Sequence, residues 1–197
     1  VVMALVPGAG RVAGGQTGVV MALVPGAGRV AGGQTGVVMA LVPGTPLGKA
    51  HDFDSVLRGR YPADKRASVS YVLECFSGLA AGLHWLHSHG IAHGDVFAHN
   101  LMVSEEGSAV LLDFGAAFFY DPDSEAPYSK CEIRAFGLLL KDMEERSIND
   151  EYGVRPAIRG LVQDCLLEEP AMRPTFAQAE ERLNEMKQML LSVNRIL

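Results

Sequence analysis

Two stretches decide how this chain is read: IAHGDVFAHNLMV at residues 91–103, and AVLLDFG at residues 109–115. Each contains a short apolar run of strand length, and EEGS at residues 105–108 is a tight turn between them. The pattern predicts a polar loop, a strand, a hairpin turn and a second strand that ends on Asp113, Phe114 and Gly115. Upstream, residues 68–89 read as a helix, because Val72, Phe76, Leu79, Leu83 and Leu86 recur at steps of three and four on one face. Gly90 follows as a helix C-terminal cap.

The later segments are helical as well. Leu161, Cys165 and Leu166 share a helical face that Pro170 and Pro174 terminate, and FAQAEERLNEMKQMLLSV is a final amphipathic helix. The 48% hydrophobic content is enough for an ordinary core, and 197 residues suit about one domain. A net charge of -6 argues against a nucleic-acid partner, which needs clustered cations. No apolar run reaches the ~18 residues of a membrane span, so no membrane partner is expected. Cys75, Cys131 and Cys165 have no metal or disulfide spacing and read as reduced core thiols of a cytoplasmic protein.

The loop and turn carry a resemblance. HGDVFAHN at residues 93–100 resembles the protein-kinase catalytic loop H-R-D-L-x-x-x-N with Gly94 in place of arginine, and Asp113-Phe114-Gly115 is its D-F-G. EIRAFGLLL at residues 132–140 is similar to the D-x-W-S-F-G-x-x-L helix of that family's large lobe. LVQDCLLEEPAMRPTF is similar to its late helices with the Arg173-Pro174 turn. The resemblance implies a mainly α (α+β) fold: a protein-kinase-like large lobe behind a short N-terminal β-hairpin and repeat segment. It implies ATP and Mg²⁺ as cofactors and a protein substrate, phosphorylated on Ser/Thr or Tyr. Asp95 would be the base that accepts the hydroxyl proton, and Asn100 and Asp113 the hard-oxygen ligands of Mg²⁺. His93 would pack behind the D-F-G turn.

The N-terminus is a phrase repeated. VVMALVPGAGRVAGGQTG fills residues 1–18 and again 19–36, and a third copy begins at Val37. GAGRVAGGQT mimics phosphate-binding loops, but no helix follows the glycines, and Gln16 and Gln34 stand where a P-loop has lysine. The hairpin reading accounts better for RVA, GGQTG and VVMALV as strand, turn and strand. On the kinase resemblance, residues 37–44 match the last small-lobe strand and hinge. Met39 would then guard the adenine pocket, the Ala40 and Val42 backbones would face adenine, and Met102 would be the floor. The domains expected are thus duplicated hinge hairpins at 1–36, a kinase-like unit at 37–190 and a tail at 191–197.

Departures keep other readings open. Nothing upstream supplies a glycine-rich loop, and the first lysine of the sequence is Lys49. A pseudokinase scaffold that binds a protein partner is one alternative. A small-molecule kinase of the aminoglycoside or choline type, which Gly94 favours, is another. AAFFYDPDSEAPYSK after Gly115 shows no clear A-P-E, which leaves Arg173 without the family's carboxylate partner. With Gly94, this points to a kinase not switched by loop phosphorylation. The histidines at 84, 87 and 89 read as polar residues at a helix C-terminus rather than a metal set, Trp85 as core, and Glu144, Glu145 and Arg146 as a solvated helix face.

Overall fold

The structure is a computed structural model that describes residues 27–30, 34–37, 42–50, 59–123, 127–148 and 153–193. In the second copy of the repeat, β1 (Ala27–Val30) and β2 (Gln34–Val37) pair antiparallel, with Val30 opposite Gln34 and Ala27 opposite Val37. Gln34 to Gly36 therefore lie in a strand rather than in the turn that the GGQTG cluster suggests.

The remaining elements form the mainly α body. β3 (Thr45–Pro46) lies antiparallel to β6 (Leu101–Val103), which pairs in turn with β7 (Ala109–Leu111). β4 (Ala67–Ser68) leads into α1 (Val69–Ser88), and β5 (Ile91–Ala92) follows it. β8 (Phe118–Phe119) folds back antiparallel on β5. α2 (Tyr128–Glu145) runs into β9 (Ser147–Ile148), which pairs parallel with β4. α3 (Arg155–Cys165) and α4 (Phe176–Val193) complete the chain.

Local chemistry explains the boundaries of α1. The Ser68 hydroxyl accepts from the Tyr71 N–H at 3.1 Å, a side-chain N-cap. At the other end Gly90 takes a left-handed φ of +65°, and its N–H caps the His87 carbonyl. All five residues of the expected apolar face are buried, and so are Val69, Leu73, Cys75 and Ala80. α1 is therefore the central helix, in contact with α2, α4, β5 and β7. Phe136 of α2 meets Phe76 of α1 and Phe176 of α4 edge-on, at 5.5 and 5.8 Å between ring centroids. Gly137 beside it is needed for close approach, since a Cβ there would lie 2.5 Å from the Cys165 Cβ.

Two expectations about burial are corrected. Glu144 is buried, not solvated: its carboxylate accepts from Arg155 and Arg159 of α3 at about 3 Å. Cys131 is exposed, so only Cys75 and Cys165 are core thiols, and burial pushes both up to about 12. Trp85 packs against the core as expected, partly buried and stacked on His89 at 4.1 Å. The buried Arg173 guanidinium donates to the main-chain carbonyls of Lys130, Leu167 and Glu168 at 2.7–3.1 Å, and these satisfy it in place of a carboxylate.

Candidate active site

The site forms where the loop after β5 meets the turn after β7, and His93 is the hinge-pin between them. Its ring is fully buried. Nε2–H donates to the Leu112 carbonyl at 3.0 Å, while Nδ1 accepts from the Asp95 N–H at 3.2 Å. That pair of bonds defines a neutral tautomer. Burial holds the imidazole below its usual range, against the opposing pull of the Glu132, Asp95 and Asp113 carboxylates. The ring also meets Phe114 edge-on at 4.5 Å, the packing role expected of it.

Asn100 joins the same group from the turn of 3-10 helix Ala98–Asn100. It is buried, and its Nδ2 donates both to Asp95 Oδ2 at 2.8 Å and to the Asp95 carbonyl at 3.1 Å. Its own carbonyl accepts from the Leu112 N–H at 2.7 Å. Leu112 is thus held by Asn100 on one side and His93 on the other, which places Asp113 next to the loop. Asp113 adopts φ 58° and ψ 77°, the only non-glycine with positive φ among the described residues. Its Oδ1 accepts from the Gly115 N–H at 3.1 Å, an Asx turn that lets an aspartate tolerate the left-handed region.

Gly94 has a backbone reason for its identity. Its φ is +80°, and a Cβ would lie 2.4 Å from the Ala116 carbonyl oxygen just past the D-F-G turn. Loop and turn touch here, and a side chain would separate them.

The anchor of the loop lies on α2. Glu132 is buried, and its carboxylate accepts the N–H groups of His93 and Gly94 together with His87 Nε2 at 2.7 Å. Burial alone would raise its pKa. The hydrogen bonds from His87, Gly94 and His93 outweigh that and hold it below the usual carboxylate range. His87 Nδ1 lies 2.6 Å from the Tyr120 hydroxyl. From sequence alone Glu132 has no role beyond its place on the family helix, His87 stands among the helix-end histidines, and Tyr120 carries no assignment. The available signal was a carboxylate at a position otherwise inside the apolar face of α2.

The other site residues fall as follows. Met102 is half-buried in β6, and Val42 is half-buried just before β3. Met39 and Ala40 lie outside the described residues. Among the described residues no group of histidines, cysteines and carboxylates has the arrangement of a metal cluster. His84 instead pairs with Glu180 at 2.8 Å. No helix among those residues is long and apolar enough to cross a membrane.

Comparison with known proteins bears on the family. The chain is 35% identical over 94 residues to nitrogen permease reactivator protein of Saccharomyces cerevisiae, covering 46% of this chain and 11% of that protein. It is 39% identical over 62 residues to mitogen-activated protein kinase kinase kinase 17 of Arabidopsis thaliana, covering 32% and 17%. Protein-tyrosine kinase 6 of Homo sapiens is 25% identical over 162 residues, covering 61% and 36%. The chain thus spans only 11% to 36% of the length of these relatives. The family model for protein tyrosine and serine/threonine kinases matches residues 23–135, starting within the second repeat and ending inside α2. That match takes in more than half of the chain, including the loop, the D-F-G turn and the start of the anchoring helix, and the chain belongs to this kinase family.

Proposed function

We propose that this chain is the large lobe of a protein kinase and that its site serves ATP- and Mg²⁺-dependent phosphoryl transfer to a serine, threonine or tyrosine hydroxyl of a protein. One arrangement carries the reading: buried His93 bonds the Asp95 N–H and the carbonyl of Leu112, next to Asp113, while Asn100 bonds Asp95 and the Leu112 N–H. Asp95 is the base, and the Asn100 amide fixes its carboxylate by holding Oδ2. Because Nδ2 of Asn100 is committed to Asp95, the amide presents its Oδ1 to a cation. With the exposed carboxylate of Asp113 this makes a hard-oxygen pair suited to Mg²⁺, which keeps several waters and needs few protein ligands. When bound, Mg²⁺·ATP supplies the phosphoryl group and the metal offsets its negative charge. Met39 would guard the adenine pocket, the backbones of Ala40 and Val42 would face the base, and Met102 would lie beneath it.

The kinase-like unit is assigned to residues 37–190, with duplicated hinge hairpins at 1–36 and a tail at 191–197. The relatives include proteins named as serine/threonine kinases and as tyrosine kinases, which supports a protein hydroxyl as acceptor without choosing between them.

The test is calorimetry of Mg²⁺·ATP binding to the 197-residue chain. Asp113→Asn keeps the left-handed turn and removes the charge, so affinity should fall by at least about tenfold, the equivalent of one charge-assisted contact. Unchanged affinity would overturn the site. Asp95→Asn should bind nucleotide as the parent does and transfer no phosphate. A parent chain that binds Mg²⁺·ATP but phosphorylates no Ser, Thr or Tyr peptide would favour the scaffold reading.

A further inference from the structure

The segment after the D-F-G turn is tied to the catalytic loop at a point the phosphoryl-transfer reading does not use. β8 ends at Phe119, and the next N–H, from Tyr120, donates to the Gly90 carbonyl at 2.8 Å. This sets the Tyr120 phenol over the end of α1, with its oxygen 2.6 Å from His87 Nδ1. The other ring nitrogen of His87 bonds Glu132 Oε2 at 2.7 Å, and the two carboxylate oxygens of Glu132 receive the N–H groups of His93 and Gly94. These are the two residues immediately before Asp95. An unbroken chain of hydrogen bonds therefore runs from a phenol on one segment to the backbone of the loop.

The direction of each bond follows from chemistry. An ionised Glu132 only accepts, so His87 Nε2 carries hydrogen. Where the ring is neutral, Nδ1 is then an acceptor and the Tyr120 O–H is its donor. Burial and the nearby Glu132 charge raise the phenol's pKa, so it stays protonated and able to donate. Packing holds the pieces in register: the His87 ring stacks on Phe176 at 5.0 Å, and Tyr120 meets Tyr128, the first residue of α2, edge-on at 5.5 Å. Gly94 brings no side chain to this junction, so the loop contributes only main-chain groups.

We propose that Tyr120 is a positioning residue, whose neutral phenol tethers the segment after Asp113 to the catalytic loop through His87 and Glu132 and does so without a phosphate. The role concerns regulation of the proposed kinase site and rests on that reading for its consequence, though the tether itself can be tested without it.

Tyr120→Phe removes one oxygen and keeps the ring packing. In the full chain, amide hydrogen exchange at His93 and Gly94 should rise by about tenfold, as expected for loss of one hydrogen bond, with the core amides of α1 and α3 unchanged. Tyr128→Phe, which leaves the tether intact, should leave both amides as they are. The ¹⁵N resonances of His87 give a readout that packing alone would not move. In Tyr120→Phe the Nδ1 signal should shift toward that of a nitrogen without a donor, while Nε2–H stays on Glu132. Equal exchange in parent and Tyr120→Phe, or an unmoved Nδ1 resonance, overturns the tether. Absence of Mg²⁺·ATP binding in the parent would instead overturn the kinase-site reading and leave these two measurements intact.

Discussion

Glu132 shows how one side chain can be set against its own desolvation. A buried carboxylate is costly, and this one persists because two loop amides and an imidazole surround it. Glu132→Gln replaces an acceptor by a group that must point N–H hydrogens at other donors. We expect a loss of about 2–3 kcal/mol, read as a lower urea midpoint. The pH dependence has a definite sign. With a folded pKa below the ordinary 4.5, the unfolded chain takes up the proton first as pH falls. The stabilisation is complete above that value and is lost as pH drops through the folded one. His93 acts in the same direction at higher pH: burial keeps it neutral, so stability starts to fall below its ordinary 6.5. Glu132→Gln should flatten the profile near pH 4 and retain the slope near pH 6. A second prediction concerns Gly94→Ala. With φ at +80° and the Ala116 carbonyl in the way, it should cost roughly 1–3 kcal/mol and weaken Mg²⁺·ATP binding by moving the turn that carries Asp113. Calorimetry beside a denaturation curve separates the two effects.

At the level of elements, α1 is bounded by its own sequence. Ser68 caps the first turn with its hydroxyl, and Ser68→Ala should cost about 1 kcal/mol in thermal or urea unfolding. Ser68→Asp should retain most of it, since a carboxylate caps as well. α2 is bounded differently: Pro127 at its start makes no side-chain cap bond, and the helix is held by what it packs against. One face carries Ile133, Phe136 and Leu140 into the core, and Glu132 and Glu144 are buried on either side for quite different partners. Glu132 serves the loop, while Glu144 joins α2 to α3 through Arg155 and Arg159.

Across the whole molecule, the loop, the D-F-G turn and the anchoring carboxylate come from three separate elements, and the common core sets their spacing. Phe136 is at the crossing of α1, α2 and α4, in edge contact with both Phe76 and Phe176. Phe136→Ala should destabilise by about 3–5 kcal/mol, because the packed aromatic neighbours cannot close the cavity. Since Phe136 lies one helical turn from Glu132, the same variant should raise hydrogen exchange at His93 and Gly94 before global unfolding is reached.

Near-neighbour chemistry made much of this legible from the amino acids alone. Apolar periodicity and a following glycine delimit α1, and the same periodicity delimits α4 at Phe176–Val193, because helix geometry depends on residues three and four apart. The order of loop, strand, turn, strand and D-F-G likewise follows from short-range patterns. What the tertiary structure alone decided is which polar residues are buried and with whom. His87 and Glu132 are 45 residues apart, and His87 and Tyr120 are 33 apart. Glu144 looks like any solvated acidic residue until α3 covers it with two arginines. A charged side chain looks the same in sequence whether it faces water or a buried partner, because its solvation is set by elements folded over it from elsewhere in the chain.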